Sequence, residues 1–256
     1  MSDGAGENWS RNIRYTAERY VAPKTVDELR EVVAASDSVK ALGSRHSFTR
    51  IADTGGTLVS TAELDLPIQV DAAQKRVRVG GGVRYGELAQ ELDRQGWALA
   101  NLASLPHISV AGAVSTGTHG SGVGNRSLAA AVTGLELVTS TGELMQLTDR
   151  DDALAGAVVG LGALGIVTTV ELAIEPTYEV AQTVYENVPL EAVRKNFDVI
   201  AGSAYSVSFF TTFRDGMYVD QVWRKERTDA AATPIPAALR DRQASGARHP
   251  LPGVSA

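Results

Sequence analysis

Two stretches of this 256-residue chain gather residue types that can do chemistry: Leu42-Gly-Ser-Arg-His-Ser-Phe48 and Ser104-Leu-Pro-His-Ile-Ser-Val-Ala-Gly-Ala-Val-Ser-Thr-Gly-Thr-His-Gly120. Glycine and serine let successive backbone N–H groups converge into a nest that holds an anion, and serine and threonine hydroxyls add donors without bulk. Two such loops can cradle a pyrophosphate without a lysine. Taken singly, each also reads as a run of tight turns, which the same small residues permit. A literal GxGxxG lies elsewhere, at Gly160-Leu-Gly-Ala-Leu-Gly165. A dinucleotide fingerprint needs a strand before the glycines and a helix after them, so that the phosphates meet the helix N-terminus. Here the order is helix then strand, and the motif reads as a tight connecting turn. A nicotinamide dehydrogenase is therefore only an outside alternative.

Composition narrows the chemistry further. The chain has no cysteine, which excludes disulfides, thiolate nucleophiles, iron–sulfur clusters and cysteine-ligated zinc. Its four histidines, His46, His107, His119 and His249, include no i, i+4 pair and no HExxH, so no metal site is expected. With 24 Lys+Arg against 30 Asp+Glu, the net charge of -6 supplies no positive field to gather nucleic acid. Hydrophobic residues at 44% and charged residues at 21% place the chain among folded globular proteins. Its length suits one large or two modest domains. Residues 1–7 lack a basic flank and an apolar run, so no secretory signal is read and a cytoplasmic location is expected. The longest apolar stretch, Ala153 to Val167, falls short of the ~20 residues of a spanning helix and reads as buried core.

The elements that must position the two loops are legible as mixed α+β. Thr25-Val-Asp-Glu28 fits a capping box opening a helix to about Ala35. Short strands are expected at Val39 to Leu42, Thr57 to Ser60, Ile68 to Val70 and Arg76 to Val79, the last two as a hairpin. Tyr85, Leu88, Ala89 and Leu92 recur at helical spacing and Gly96 stops the run. A second hairpin spans Leu135 to Leu147, followed by a helix near Asp152 to Val159 and a strand from Ile166 to Ile174. Pro176 marks a boundary. Beyond it the pattern predicts a strand over Glu179 to Val188, a helix from Leu190 to Ile200, and strands at Tyr205 to Phe213 and Tyr218 to Trp223. From Glu226 periodicity is lost and Pro234, Pro236, Pro250 and Pro252 accumulate, as in a poorly ordered tail.

The two loops, together with Val79-Gly-Gly-Gly-Val-Arg-Tyr85, Thr116-Gly-Thr-His-Gly-Ser-Gly-Val-Gly124 and Gly162-Ala-Leu-Gly-Ile-Val167, resemble the FAD-binding (PCMH-type) domain of the vanillyl-alcohol-oxidase-like flavoproteins. Within that family the likeness is to the bacterial alditol (xylitol) oxidases. Asn8-Trp9, Ala204-Tyr-Ser-Val-Ser208 and Gln221-Val-Trp223 extend it to about Pro252. The resemblance implies a two-subdomain FAD-binding domain over residues 1–176, the start of an α+β substrate domain over 177–225, and a tail over 226–256. It implies FAD joined covalently to His46, with Ala41, Leu42, Gly43, Ser44, Arg45, Ser47, Ser104, Ser109, Gly112, Thr116, Gly117, Thr118, His119 and Val167 completing the cofactor shell. Ser104 has a second implied role, hydrogen bonding to a substrate hydroxyl. The implied reaction oxidises a terminal polyol hydroxyl to the aldehyde by hydride transfer to flavin N5, with dioxygen reduced to hydrogen peroxide.

The family's charged pocket residues come from later in its substrate domain, and this chain ends before those positions. It therefore reads as a C-terminally truncated member. Two alternatives stay open beside the oxidase: a flavin-binding fragment without turnover, and a sugar-lactone oxidase-like flavoprotein.

Overall fold

The structure, a computed structural model, describes residues 5–213 and 216–249. The start of the chain through Gly4, and Pro250 and Pro252 of the expected tail, lie outside the described residues. Two compact units are distinguished, one running through His119 and resuming over Ser127–Pro176, the other comprising Gly120–Arg126 and the chain from Thr177 onward.

In the first unit, β1 (Arg19–Val21), α1 (Val26–Ala34), β2 (Val39–Leu42) and β3 (Thr57–Ser60) make a parallel three-stranded sheet in the order β1-β3-β2, with a helix beside it. The Thr25 hydroxyl accepts from the Glu28 N–H, as the capping box predicts, while the Glu28 carboxylate takes the N–H of Lys24. Leu29 and Val33, one turn apart, are buried with Val59, Val138 and Ile166. This cluster joins the helix to both sheets of the unit, since Val138 and Ile166 belong to the second.

That second sheet draws on β4 (Gln69–Asp71), β5 (Arg76–Gly80), α2 (Tyr85–Arg94), β6 (Trp97–Ala98), α3 (Val110–Ser115), β7 (Val132–Val138), β8 (Leu144–Thr148), α4 (Ala153–Val158), β9 (Ile166–Ala173) and β10 (Glu175–Pro176). Five strands pair antiparallel in the order β4-β5-β9-β7-β8, and β10 pairs with β6. Alternation sets the faces of β5. Val77 and Val79 pair with Leu172 and Val170 and are buried against Leu88 and Leu92 of α2. On the opposite face Arg76 pairs with Asp149 and Glu171, and Arg78 with Glu136.

The second unit holds β11 (Val180–Pro189), α5 (Leu190–Lys195), α6 (Phe197–Ala201), β12 (Ser206–Phe210), β13 (Tyr218–Arg227), α7 (Ala237–Arg240) and β14 (Ala244–Ser245), with its antiparallel sheet ordered β12-β13-β11-β14. The single helix expected from Leu190 is two. Asn196 leaves helical geometry at φ -124 and ψ 24, and its side chain takes the Ala192 carbonyl, a local competition that asparagine wins readily.

Two expectations are corrected. The stretch from Glu226 is not structureless over its described part: β13 continues to Arg227, α7 follows, and β14 pairs with β11. Its order comes from long-range partners, including Thr233, whose carbonyl and hydroxyl both accept from the buried guanidinium of Arg224. Local periodicity carries no trace of such contacts. The apolar run from Ala153 is likewise only partly core. Leu154, Ala157, Val158 and Ile166 are buried, but Val159, Leu161 and Leu164 are exposed on the connecting turn. Among the described residues no helix is long and apolar enough to cross a membrane.

Candidate functional site

The first loop leaves β2 at Leu42 and is held by a strap from the start of the chain. The Trp9 N–H donates to the Arg45 carbonyl at 2.8 Å, and the Asn8 amide donates to the Ser47 carbonyl at 2.9 Å while accepting from the Ile13 N–H. Arg45 sits at φ 62, a conformation that costs a non-glycine residue energy and persists only where neighbours enforce it. The strap is that enforcement. On it the His46 ring is boxed by Trp9 at 4.6 Å and Phe48 at 5.5 Å between centroids, and its Nδ1 lies 3.1 Å from Nε2 of His107. Burial, and then the neighbouring His107, push the His46 imidazole below its ordinary pKa. The ring is therefore neutral, with a lone pair, at neutral pH.

The second loop is stitched to the glycine run that follows β5. Gly81 donates to the Thr168 carbonyl and accepts from Ala111, Val110 donates to Val83, Tyr85 to Ile108, and Gly86 to Pro106. These bonds fix the backbone of residues 104–112 beside the first loop, and the Ser109 N–H reaches the Ser44 hydroxyl at 3.2 Å. The Gly160–Gly165 turn joins them through a Leu161 N–H bond to the Ser115 carbonyl. Leu161, Gly162 and Gly165 all have positive φ, so the motif is the tight connecting turn read from sequence.

Together these segments line a cavity of about 620 Å³ within the first unit. Every cofactor-shell residue named from sequence lines it except Gly117, which turns the chain after α3 at φ 67 and donates to the Val114 carbonyl. The lining carries Lys40 and Arg45 and no carboxylate, although the whole chain is acidic. Tyr15, Lys40, Thr61, Gly81 and the Leu161–Gly162 turn also line it and were missed as site residues. Gly81 and the turn had signals in their glycine runs. Tyr15 and Lys40 had none, because nothing local distinguishes a cavity-facing tyrosine or lysine. Burial raises the Tyr15 phenol pKa, with Arg45 opposing and Asp53 adding to the rise. Tyr15 therefore faces the cavity as a protonated donor.

The residues present fit a bound cofactor. Ser109 is 3% exposed, and its hydroxyl has no hydrogen-bond partner among the described residues, a state that costs free energy unless something completes it. A Cβ on Gly43 would lie 2.6 Å from that oxygen, and one on Gly112 2.7 Å. The hydroxyl is thus cradled between two glycines that leave backbone exposed to a ligand.

Residues 17–148 match the family model of the FAD binding domain. The chain belongs to the FAD-binding domain family. This FAD-binding chain is similar to an alditol oxidase of a Streptomyces species, 46% identical over 97% of the chain and 59% of that protein. It is also similar to the L-gulonolactone oxidase of Bos taurus, 32% identical over 75% of the chain and 45% of the relative, and to the L-gulono-1,4-lactone dehydrogenase of Mycobacterium tuberculosis, 36% identical over 67% and 41%. It therefore spans 59% or less of each of these relatives' lengths. Among solved structures, the cholesterol oxidase of Brevibacterium sterolicum superposes with a TM-score of 0.75 at 18% identity, covering 87% of this chain and 47% of that one. That likeness concerns the fold alone. FAD is the cofactor of this domain, and the carboxylate-free, glycine-walled cavity with its orphaned hydroxyl suits a dinucleotide whose pyrophosphate is an anion.

Proposed function

We propose that the chain acts as an FAD-dependent alditol oxidase, oxidising the terminal hydroxyl of a polyol such as xylitol or sorbitol to the aldehyde and releasing hydrogen peroxide. The observation that carries this reading is the 46% identity to an alditol oxidase over nearly the whole chain. Bound FAD supplies the acceptor for hydride from the carbinol carbon, which no side chain can provide. The protein's residues bind and orient. With FAD bound, Arg45 and Lys40 would balance the pyrophosphate, the Ser109 hydroxyl would donate to the cofactor, and His46 would anchor the ring through a covalent bond. The exposed Ser104 hydroxyl binds the substrate hydroxyl and holds the reacting carbon in place, a contribution of orientation.

The test is to purify the chain, denature it in acid, and read absorbance and intact mass for attached FAD in wild type and His46→Ala. Attached flavin in wild type only, with peroxide released on xylitol or sorbitol, supports the proposal. A chain that retains FAD but turns over no polyol refutes the oxidase and leaves a binding fragment. A second reading rests on the two lactone-acting relatives. Peroxide release on an aldonolactone, with none on alditols, decides for it.

A further inference from the structure

A short hairpin near the start of the chain builds part of the cofactor cavity without belonging to either glycine-rich loop. The Tyr15 N–H donates to the Gly6 carbonyl, the Asn8 N–H donates to the Ile13 carbonyl, and Glu7 bridges Arg14. The returning strand of this hairpin brings Tyr15 to the cavity, buried with Ala5, Leu42 and Leu58. The outgoing strand lies on the first loop. At Gly6, where φ is 62, a Cβ would stand 3.3 Å from the Arg45 guanidinium, so the missing side chain makes room for the cavity's cation. Asn8 is the joint between hairpin and loop, and it is 3% exposed. The Ile13 N–H can only donate, so the atom it meets at 3.0 Å is the amide oxygen of Asn8, and the amide nitrogen therefore faces the Ser47 carbonyl at 2.9 Å. One side chain closes the hairpin by accepting and holds the loop by donating. Trp9 adds a second anchor through its N–H bond to the Arg45 carbonyl. Arg45, at φ 62, keeps that conformation while both anchors are made, and released from them it relaxes to the ordinary region.

We infer that Asn8 is a positioning residue for the cofactor: its amide fastens the 6–15 hairpin to the first loop, so that hairpin docking and FAD binding stabilise each other. Asn8 itself does not line the cavity, whereas Ser44, Arg45, His46 and Ser47 all do. It acts through them. The docked hairpin holds the turn in which these residues face the cofactor, and FAD selects the same turn. Such coupling is reciprocal: whatever docking adds to FAD affinity, bound FAD adds to docking. The inference rests on FAD as the occupant of the cavity, and on neither the oxidase reaction nor the bond to His46.

The experiment uses the full chain, made without flavin, and FAD lacking the 8-methyl group, which cannot attach to His46 and so reports reversible affinity through flavin fluorescence. Asn8→Asp is nearly isosteric. It keeps an acceptor for the Ile13 N–H, so the hairpin still closes, but it replaces the donor facing the Ser47 carbonyl with an oxygen. Affinity should fall roughly 10- to 100-fold. The pH profile separates positioning from general damage. Protonating the introduced carboxyl restores an O–H donor for the Ser47 carbonyl, so the gap to wild type should close as pH falls toward the carboxylate range, and sooner than for an exposed carboxyl because burial favours the neutral form. Hydrogen exchange on the unaltered chain gives the reciprocal readout and decides the question if the variant does not fold: saturating probe should slow exchange at the Trp9 and Ile13 N–H groups by about tenfold or more. Affinity within about threefold of wild type in the folded variant, a gap that stays constant with pH, or exchange at Trp9 and Ile13 unmoved by the probe overturns the role of Asn8 and leaves FAD binding and the oxidase reading standing. A wild-type chain that binds no flavin overturns the cofactor reading together with this one.

Discussion

Ser109 shows how a single atom trades stability against binding. Its buried hydroxyl has no partner among the described residues, so removing it should help the flavin-free fold and hurt the cofactor complex. Ser109→Ala is expected to stabilise the flavin-free chain by about 1 kcal/mol in denaturant titrations and to weaken FAD binding roughly 5- to 10-fold. Gly43→Ala acts on the same atom from outside, placing a methyl 2.6 Å from it, and should abolish FAD binding as measured by flavin fluorescence. His46 gives a pH signature. Its folded pKa lies below the unfolded 6.5, so as pH falls through that value the unfolded chain takes up a proton first. The stability it contributes is complete above pH 6.5 and is lost as pH descends toward the folded value. Thermal melts between pH 8 and 5 should show this loss in the flavin-free chain, and His46→Ala should flatten it.

At the scale of elements, the N-cap of α1 is a clean test of what the sequence encodes. Thr25→Ala removes the side-chain N-cap of that helix and is expected to cost about 1 kcal/mol, read from the urea midpoint. That helix was legible because its signal is local, and so were β2, β3, the β4–β5 and β7–β8 hairpins, and α2. The missing pieces are short elements that exist through distant partners. β1 is three residues pairing with β3 far along the chain, α3 is six residues of mostly small side chains, and β14 is two residues set against β11. The site divides in the same way. Both loops could be read from their glycines, serines and His46. The strap over the first loop and the His46–His107 contact, across 61 positions, could not, since no local pattern records which side chains meet. Lys40 and Tyr15 reach the cavity without any such pattern either.

The two units of the molecule differ in how they satisfy buried charge. In the second, Arg224 is 1% exposed and donates to the Ser203 hydroxyl and carbonyl, to Thr233 and to Glu226. Arg224→Leu removes the guanidinium from those acceptors, of which the Ser203 carbonyl and the Glu226 carboxylate keep Thr233 as a donor, and should destabilise that unit by roughly 1–3 kcal/mol, seen as lost hydrogen-exchange protection over β11 and β13. In the first, the pairing order β4-β5-β9-β7-β8 brings Arg76 into side-chain contact with Glu171, two residues from its register partner Ala173 and 95 residues later in the chain than Arg76. At the ~5–20 residues per second of synthesis, β5 waits roughly 5–20 s for β9 to be made. During that interval the edge of β5 that β9 will cover is open to any other strand, and the carboxylates that Arg76 and Arg78 meet in the finished sheet, Glu136, Asp149 and Glu171, are not yet made. Unpaired charge on an open edge discourages strand addition. The two arginines therefore serve the growing chain as repellents before they serve the finished sheet as ion-pair partners, and replacing both with valine should raise the aggregated fraction during translation even where the completed fold tolerates the change.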